Sequence, residues 1–328
     1  MMKALIIGGG GMVGQKLAHE ILANGLNGKS CDLTLFDMAF PANGAEVADT
    51  RIGTVADSDT MASLAREQFD VIFHLASVVS GQAETDFDLG WQVNMFPTWH
   101  LLEGLRAEHM ATSGGYKPRV IFTSSIAVFG APFPEKIDDT FLSAPQTSYG
   151  AQKAICEAMI TDFSRKGFVD GMSIRLPTIC VRPGKANLAA SSFFSGIIRE
   201  PLNGQKAILP VADTVRHWHA SPRSAVKFLT HSAALETDKL EGRRALNLPG
   251  VSCTVAEQIE ALRRAAGNEA VSLIALEPDE DIMQIVRAWP RDFNPQRAIS
   301  LGYRAEGSFD EIIDVYLRDE LNISDNSK

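Results

Sequence analysis

Tyr149 and Lys153 stand four residues apart, with Ser124 and Ser125 shortly before them. On a helix, residues four apart share a face, so a phenol and an ammonium placed there would be neighbours. A free phenol ionises only near pH 10 and is a poor base at neutrality. A cation alongside favours the phenolate. Such a pair can take the proton of an alcohol while a hydride leaves the same carbon. The spacing also occurs by chance, as a half-buried tyrosine beside a solvated lysine. What sets it apart is the start of the chain.

Residues 3–7 read as a buried strand, 8–11 as a tight turn, and 12–23 carry apolar residues at helical spacing. The glycines fall as Gly8-xx-Gly11-xx-Gly14. Such glycines permit a tight turn, close approach of backbone to a pyrophosphate, and close packing of helix on strand. The helix N-terminus then turns its amides and positive dipole end toward the phosphates. Asp37, 23 residues after Gly14, closes a second strand over 32–36. An acid there accepts from ribose hydroxyls and repels a 2′-phosphate, which favours NAD over NADP. The competing reading is a flexible turn and a surface aspartate.

Further strands are expected at 71–75, 119–123 and 172–176, with helices over 91–107 and 149–164. Strands alternating with helices imply an α/β protein with a parallel sheet covered on both faces. After Pro177 the alternation weakens and prolines recur at 183, 201, 210 and 222. This divides the chain into a nucleotide-binding domain over 1–177, with a return segment about 212–250, and a smaller substrate lobe over 178–211 and 251–328. A helix over 221–235 is expected to return to the main sheet. A late helix over 255–266 and a strand over 271–276 belong to the lobe, and 324–328 are expected to fray.

The 328 residues carry 31 basic and 40 acidic side chains, a net charge of −9. That balance argues against nucleic acid as a partner. Cys31, Cys156, Cys180 and Cys253 are widely separated, match no metal spacing and suit reduced thiols in a cytoplasmic protein. The apolar stretch 4–7 is too short for a signal sequence, and no apolar run is long enough to span a membrane.

Together, the glycine spacing, Tyr149 and Lys153 resemble the short-chain dehydrogenase/reductase superfamily. The chain length resembles its extended branch, which includes nucleotide-sugar epimerases and dehydratases. The resemblance implies a Rossmann-type doubly wound sheet and NAD held by Gly8, Gly11, Met12, Val13, Gly14 and Asp37. It extends to Asp57 beside the adenine, Leu75, Ala76 and Ser77 at a strand end, Asn94 on the next helix, and Pro177. Matching Val128-Phe-Gly130 to the family's Val-Tyr-Gly makes Ser125, rather than Ser124, the catalytic serine beside Tyr149 and Lys153. Lys153 would also hold the nicotinamide ribose. The segment 175–184 resembles the family's Arg-xx-Asn-x-Tyr-Gly-Pro, but Thr178 replaces the Asn and Cys180 the Tyr. The family also implies a homodimer through the helices over 91–107 and 149–164.

The missing Asn weakens a nucleotide-sugar substrate. Arg175, Arg182, Arg216 and Arg223 could each grip a carboxylate or form a structural ion pair, and Arg175, at a strand end, suits the structural role. Ser125, Tyr149, Thr178, Arg182 and Arg216 are taken as the substrate set. In the run 216–223, His217 and His219 are expected to face opposite sides and to serve packing, with no metal. The whole-chain pattern resembles the branch that oxidises the C2 hydroxyl of a four-carbon sugar acid with NAD. A nucleotide-sugar epimerase with tightly held NAD and a non-catalytic dinucleotide sensor are the alternatives.

Overall fold

The computed structural model describes residues 1–47, 49–184 and 189–322, so the expected fraying of 324–328 lies outside the described residues. The chain divides into two compact units. The first comprises 1–128, 147–176 and 226–247. Its seven strands are β1 (Met2–Ile7), β2 (Cys31–Asp37), β3 (Asp49–Ile52), β4 (Val71–His74), β5 (Arg119–Ser125), β6 (Asp170–Leu176) and β7 (Ala245–Asn247). They lie in the order β7-β6-β5-β4-β1-β2-β3, and every neighbouring pair is parallel. A parallel sheet is covered on both faces, so its strands must be apolar on both. Ala4 to Ile7 in β1 and Ile72 and Phe73 in β4 are accordingly shut off from solvent.

The helices of this unit include α1 (Met12–Asn24), α2 (Ser58–Arg66), α3 (Phe96–Ala111) and α4 (Ser148–Arg165). Strand order reverses between β1 and β4, which leaves a crevice at their carboxyl ends, where such sheets bind ligands. The helix expected over 91–107 is two pieces: a π-helical turn, Trp91–Met95, and then α3, with Pro97 in its first turn. Sequence reading missed β3 and β7. β3 is a polar edge strand whose Arg51 pairs with Asp49 and Glu67, and β7 is three residues long, too short to show a period.

The second unit comprises 129–146, 177–225 and 248–328. Its strand Arg216–Ala220 pairs with Thr178–Ile179 in parallel and with Val251–Thr254 antiparallel. Helices Ser192–Leu202, Val255–Val271 and Phe309–Glu320 enclose a core around Phe194, Ile198, Leu262 and Ile313. The return of the chain to the first unit is therefore narrower than 212–250: it runs over 226–247, because 216–220 is hydrogen-bonded into the second unit's own sheet. Residues 129–146 also lie with the second unit, where strand Ile137–Asp138 pairs with Phe293–Asn294. The late helix continues past 266 to Val271, interrupted at Gly267, and the strand after it is only Ile274–Leu276.

Candidate active site

The glycine turn follows β1 at the reversal point. Gly8 has φ of +92°, and a Cβ there would sit 2.6 Å from the amide nitrogen of Ala76. A Cβ on Gly14 would lie 2.2 Å from the Gly8 carbonyl oxygen, so α1 rests directly on the turn. Gly11 caps α1 with no side chain, and the first turn holds no acid. The leading amides of Met12, Val13 and Gly14 are therefore available to an anion at a positive helix end. Asp37 ends β2 with its carboxylate fixed by two backbone donors, Gly10 at 2.9 Å and Met38 at 2.7 Å. Gln15, which sequence reading passed over, donates to Gly9 O at 2.6 Å and accepts from the Ala45 amide at 2.6 Å. A glutamine one residue past the glycine motif carries no distinguishing signal of its own.

The amides of Leu75 and Ala76 both donate to Ile7 O, at 2.8 and 3.0 Å, which presses the end of β4 against Gly8. Asn94 is buried in the π-helical turn. Its Oδ1 accepts from Ser77 Oγ and the Val78 amide, each at 2.9 Å, and its Nδ2 donates to Gln152 Oε1 at 2.8 Å. Asn94 thus ties the segment after β4 to the helix that carries Tyr149. Asp57 is exposed and caps α2, accepting from the Asp59 amide at 3.0 Å and Thr60 Oγ1 at 2.7 Å. The Thr60 hydrogen bond, more than any other contact, holds its carboxyl below the usual range.

Tyr149 lies in the first turn of α4, where Thr147 accepts from the Gly150 amide at 3.1 Å. Lys153 follows one helical turn later. The residue is 1% exposed, and its ammonium donates to Thr123 O at 2.9 Å and stands 4.6 Å from the Phe122 ring centroid and 5.5 Å from that of Tyr149. No carboxylate pairs with it among the described residues, so its charge is left to act on its neighbours. Successive side chains of β5 point to opposite faces. Ser124 is buried and donates to Glu157 at 2.5 Å. Ser125 is half-buried, and its Oγ accepts from the Ala127 amide at 3.1 Å, leaving its proton to donate elsewhere.

In the second unit, Pro177 is buried and Thr178 half-buried, with Thr178 Oγ1 2.7 Å from His217 Nε2. The arginines separate by partner. Arg175, in the first unit, grips buried Glu157 at 2.9 and 2.7 Å. Arg216 pairs with Glu257 at 3.1 Å and donates to Ser252 O. Arg223 pairs with Asp319. Arg182 alone of the four has no carboxylate among the described residues. Among the described residues its guanidinium reaches only Ser191 Oγ, at 3.5 Å, and burial weakens its hold on its proton. His217 and His219 do not face opposite sides: residues two apart on a strand share a face. Their rings are 5.4 Å apart and both pack against Phe194. Among the described residues, no group of three or more His, Cys, Asp or Glu is gathered as a metal would need. Within the same residues, no helix is long and apolar enough to cross a membrane.

Residues 4–228 match the NAD-dependent epimerase/dehydratase family. The chain is 46% identical to the D-erythronate dehydrogenase of Cupriavidus necator, over 97% of this chain and 98% of that one. It is 41% identical to the D-erythronate dehydrogenase of Haemophilus influenzae, over 96% and 99%. A crystal structure described as a nucleoside-diphosphate-sugar epimerase from Agrobacterium tumefaciens is 51% identical, with a TM-score of 0.92 over 98% of this chain and 95% of that one. At 21% identity, the L-threonine dehydrogenase of Clostridium difficile shares the fold, with a TM-score of 0.83 over 97% of both chains. The chain belongs to the NAD-dependent epimerase/dehydratase family.

Proposed function

We propose that this protein oxidises the C2 hydroxyl of a small sugar acid, D-erythronate foremost, to the 2-oxo acid. The observation that carries the reading is the buried Lys153 ammonium, unpaired with any carboxylate among the described residues, beside the ring of Tyr149. The Tyr149 oxygen accepts the proton of the C2 hydroxyl, with the Lys153 charge held beside its ring. Ser125 donates to the reacting oxygen and holds it in place. The bare N-terminus of α1 and the fixed carboxylate of Asp37 suit the pyrophosphate and the adenosine ribose of NAD. NAD, when bound, takes the hydride released from C2. Arg182, lacking a carboxylate of its own among the described residues, suits the carboxylate of the acid. The names of two relatives near full length point to the same substrate.

A second reading is a nucleotide-sugar epimerase, favoured by the description of the 51% identical structure. An epimerase regenerates NAD in place and accumulates no NADH, so a screen of NADH absorbance against C4 to C6 sugar acids and nucleotide sugars separates the two. We expect steady NADH formation with D-erythronate. Tyr149→Phe should then lower kcat by at least about a thousandfold, the upper part of the range for a positioned proton acceptor, while NAD affinity stays within about threefold. Turnover retained in this variant would remove the central claim.

We further propose a homodimer. Phe87, Phe96 and Trp99, together with Ile155 on α4, are large apolar side chains left exposed on and beside the helices expected to pair. Sedimentation at micromolar concentration tests it, and a monomer there would reject it. A cytoplasmic location fits four unpaired cysteines, three of them buried.

A further inference from the structure

The second unit holds a hydrogen-bond chain whose direction is set by its ends. His217 is buried, and its Nδ1 lies 2.9 Å from the carbonyl oxygen of Pro290. A carbonyl only accepts, so Nδ1 carries the proton. Burial, the dominant influence, pushes the imidazole down to about 4, so the ring is neutral at physiological pH. Nε2 is then a lone pair, and it stands 2.7 Å from Thr178 Oγ1. Thr178 must therefore donate to it. Phe194 stacks on the imidazole at 5.2 Å with planes 2° apart, and the Trp289 ring lies 5.1 Å away. These contacts leave the ring little freedom to turn. Thr178 itself stays partly exposed. With its one proton spent on His217, it offers any ligand lone pairs alone.

We infer that Thr178 reads a second hydroxyl of the substrate, as a group that can only accept, and that His217 is the positioning residue that fixes this polarity. The inference rests on the sugar-acid reading above and narrows it. A carboxylate or phosphate at Thr178 would meet oxygen lone pairs with its own, whereas a hydroxyl or an ammonium would donate. Recognition is thereby divided: the carboxylate goes to a cation such as Arg182, and a hydroxyl goes to Thr178. Along the chain, Thr178 lies two residues past Leu176, which is in register with Ser125. With the C2 hydroxyl given to the reaction, the hydroxyl read is the one on C3 or C4.

The test compares kcat/KM for D-erythronate, 2,4-dihydroxybutanoate (no C3 hydroxyl) and 2,3-dihydroxybutanoate (no C4 hydroxyl). The wild-type protein should prefer D-erythronate to one of the two deoxy acids by about tenfold or more, because an acceptor covered by the bound acid and left unpaired is costly. Thr178→Val should collapse that preference to within about twofold, chiefly through KM for D-erythronate, and Thr178→Ser should restore it. His217→Phe, which keeps a ring beside Phe194 but removes the acceptor, should shrink the same preference with Thr178 still in place. The ratio between two substrates does not depend on how much of a variant folds, and Thr178→Ala replaces the valine variant if that one does not fold. An unchanged ratio in the Thr178 variant or in His217→Phe overturns the inference. Equal kcat/KM on all three acids overturns it while leaving the sugar-acid reading intact. No turnover of any sugar acid by the wild type sinks that reading and this inference with it.

Discussion

Arg175, Arg182, Arg216 and Arg223 are alike as letters, and only their surroundings tell them apart. Arg175 forms a two-point pair with Glu157, which also takes the hydroxyl of Ser124. Both charges are largely buried, so removing one strands the other. Arg175→Met should cost about 3 kcal/mol of stability, read as a lower urea midpoint, with little change in KM of the folded protein. Arg182 has the opposite signature. Arg182→Met should leave the urea midpoint close to wild type and lower kcat/KM for the sugar acid about 10- to 100-fold, as expected for a charged hydrogen bond. An Arg182 variant with full kcat/KM would hand the carboxylate to another group. The two serines separate by the same logic: Ser124 is taken up by Glu157, and the next residue points to the other face of β5 with its proton uncommitted.

At the scale of elements, the working parts of the first unit are places where one segment presses on another. α1 begins so close to the glycine turn that Gly14 has no room for a side chain. Gly14→Ala must push the helix away from Gly8, and with it the amides that face the phosphates. NAD affinity should fall at least about tenfold by titration calorimetry, the loss of roughly one charge-assisted hydrogen bond. An unchanged affinity would mean that the helix N-terminus does not hold the cofactor. Asn94 plays a similar part between the segment after β4 and α4. The interruption of regular helix at Trp91–Met95 places that amide where three groups converge on it.

At the scale of the molecule, both units bury histidines in the neutral form. Burial is the main cause at His74, where Lys153 adds repulsion, and its imidazole is pushed down to about 3. His217 is held at about 4 in the second unit. In the unfolded chain a histidine protonates near pH 6.5. Below that pH the unfolded state binds protons that the folded state refuses, so stability is full above about 6.5 and falls on acidification, through about 4 for His217 and about 3 for His74. His217 alone accounts for a loss on the order of 3 kcal/mol across that window. The carboxylates with lowered pKa, such as Asp170, begin to weigh against folding only below about pH 5. Urea unfolding between pH 7.5 and 5 therefore isolates the histidines. A flat stability across that range would show that they are not buried neutral.

The letters alone carried the parts of this protein that depend on neighbours in the chain. The glycine turn, the acid at the end of β2 and the Tyr149–Lys153 spacing are local, since each is set within one turn, one strand or one helix, and the resemblance to a family was read from them. The residues that follow favoured Ser125 over Ser124 as the catalytic serine, and that assignment stays a proposal. Short or polar strands such as β3 and β7 escaped, because a strand of three or four residues shows no period and owes its existence to the edge it pairs with. Which arginine is spent on an ion pair, and which way the Thr178 hydroxyl points, depended on the tertiary structure. Their partners, Glu157, Asp319, His217 and Pro290, lie from 18 to 96 residues away, with Pro290 entering through His217. A side chain's chemistry is fixed by its type, but whether that chemistry is already used up is fixed by what the fold packs against it.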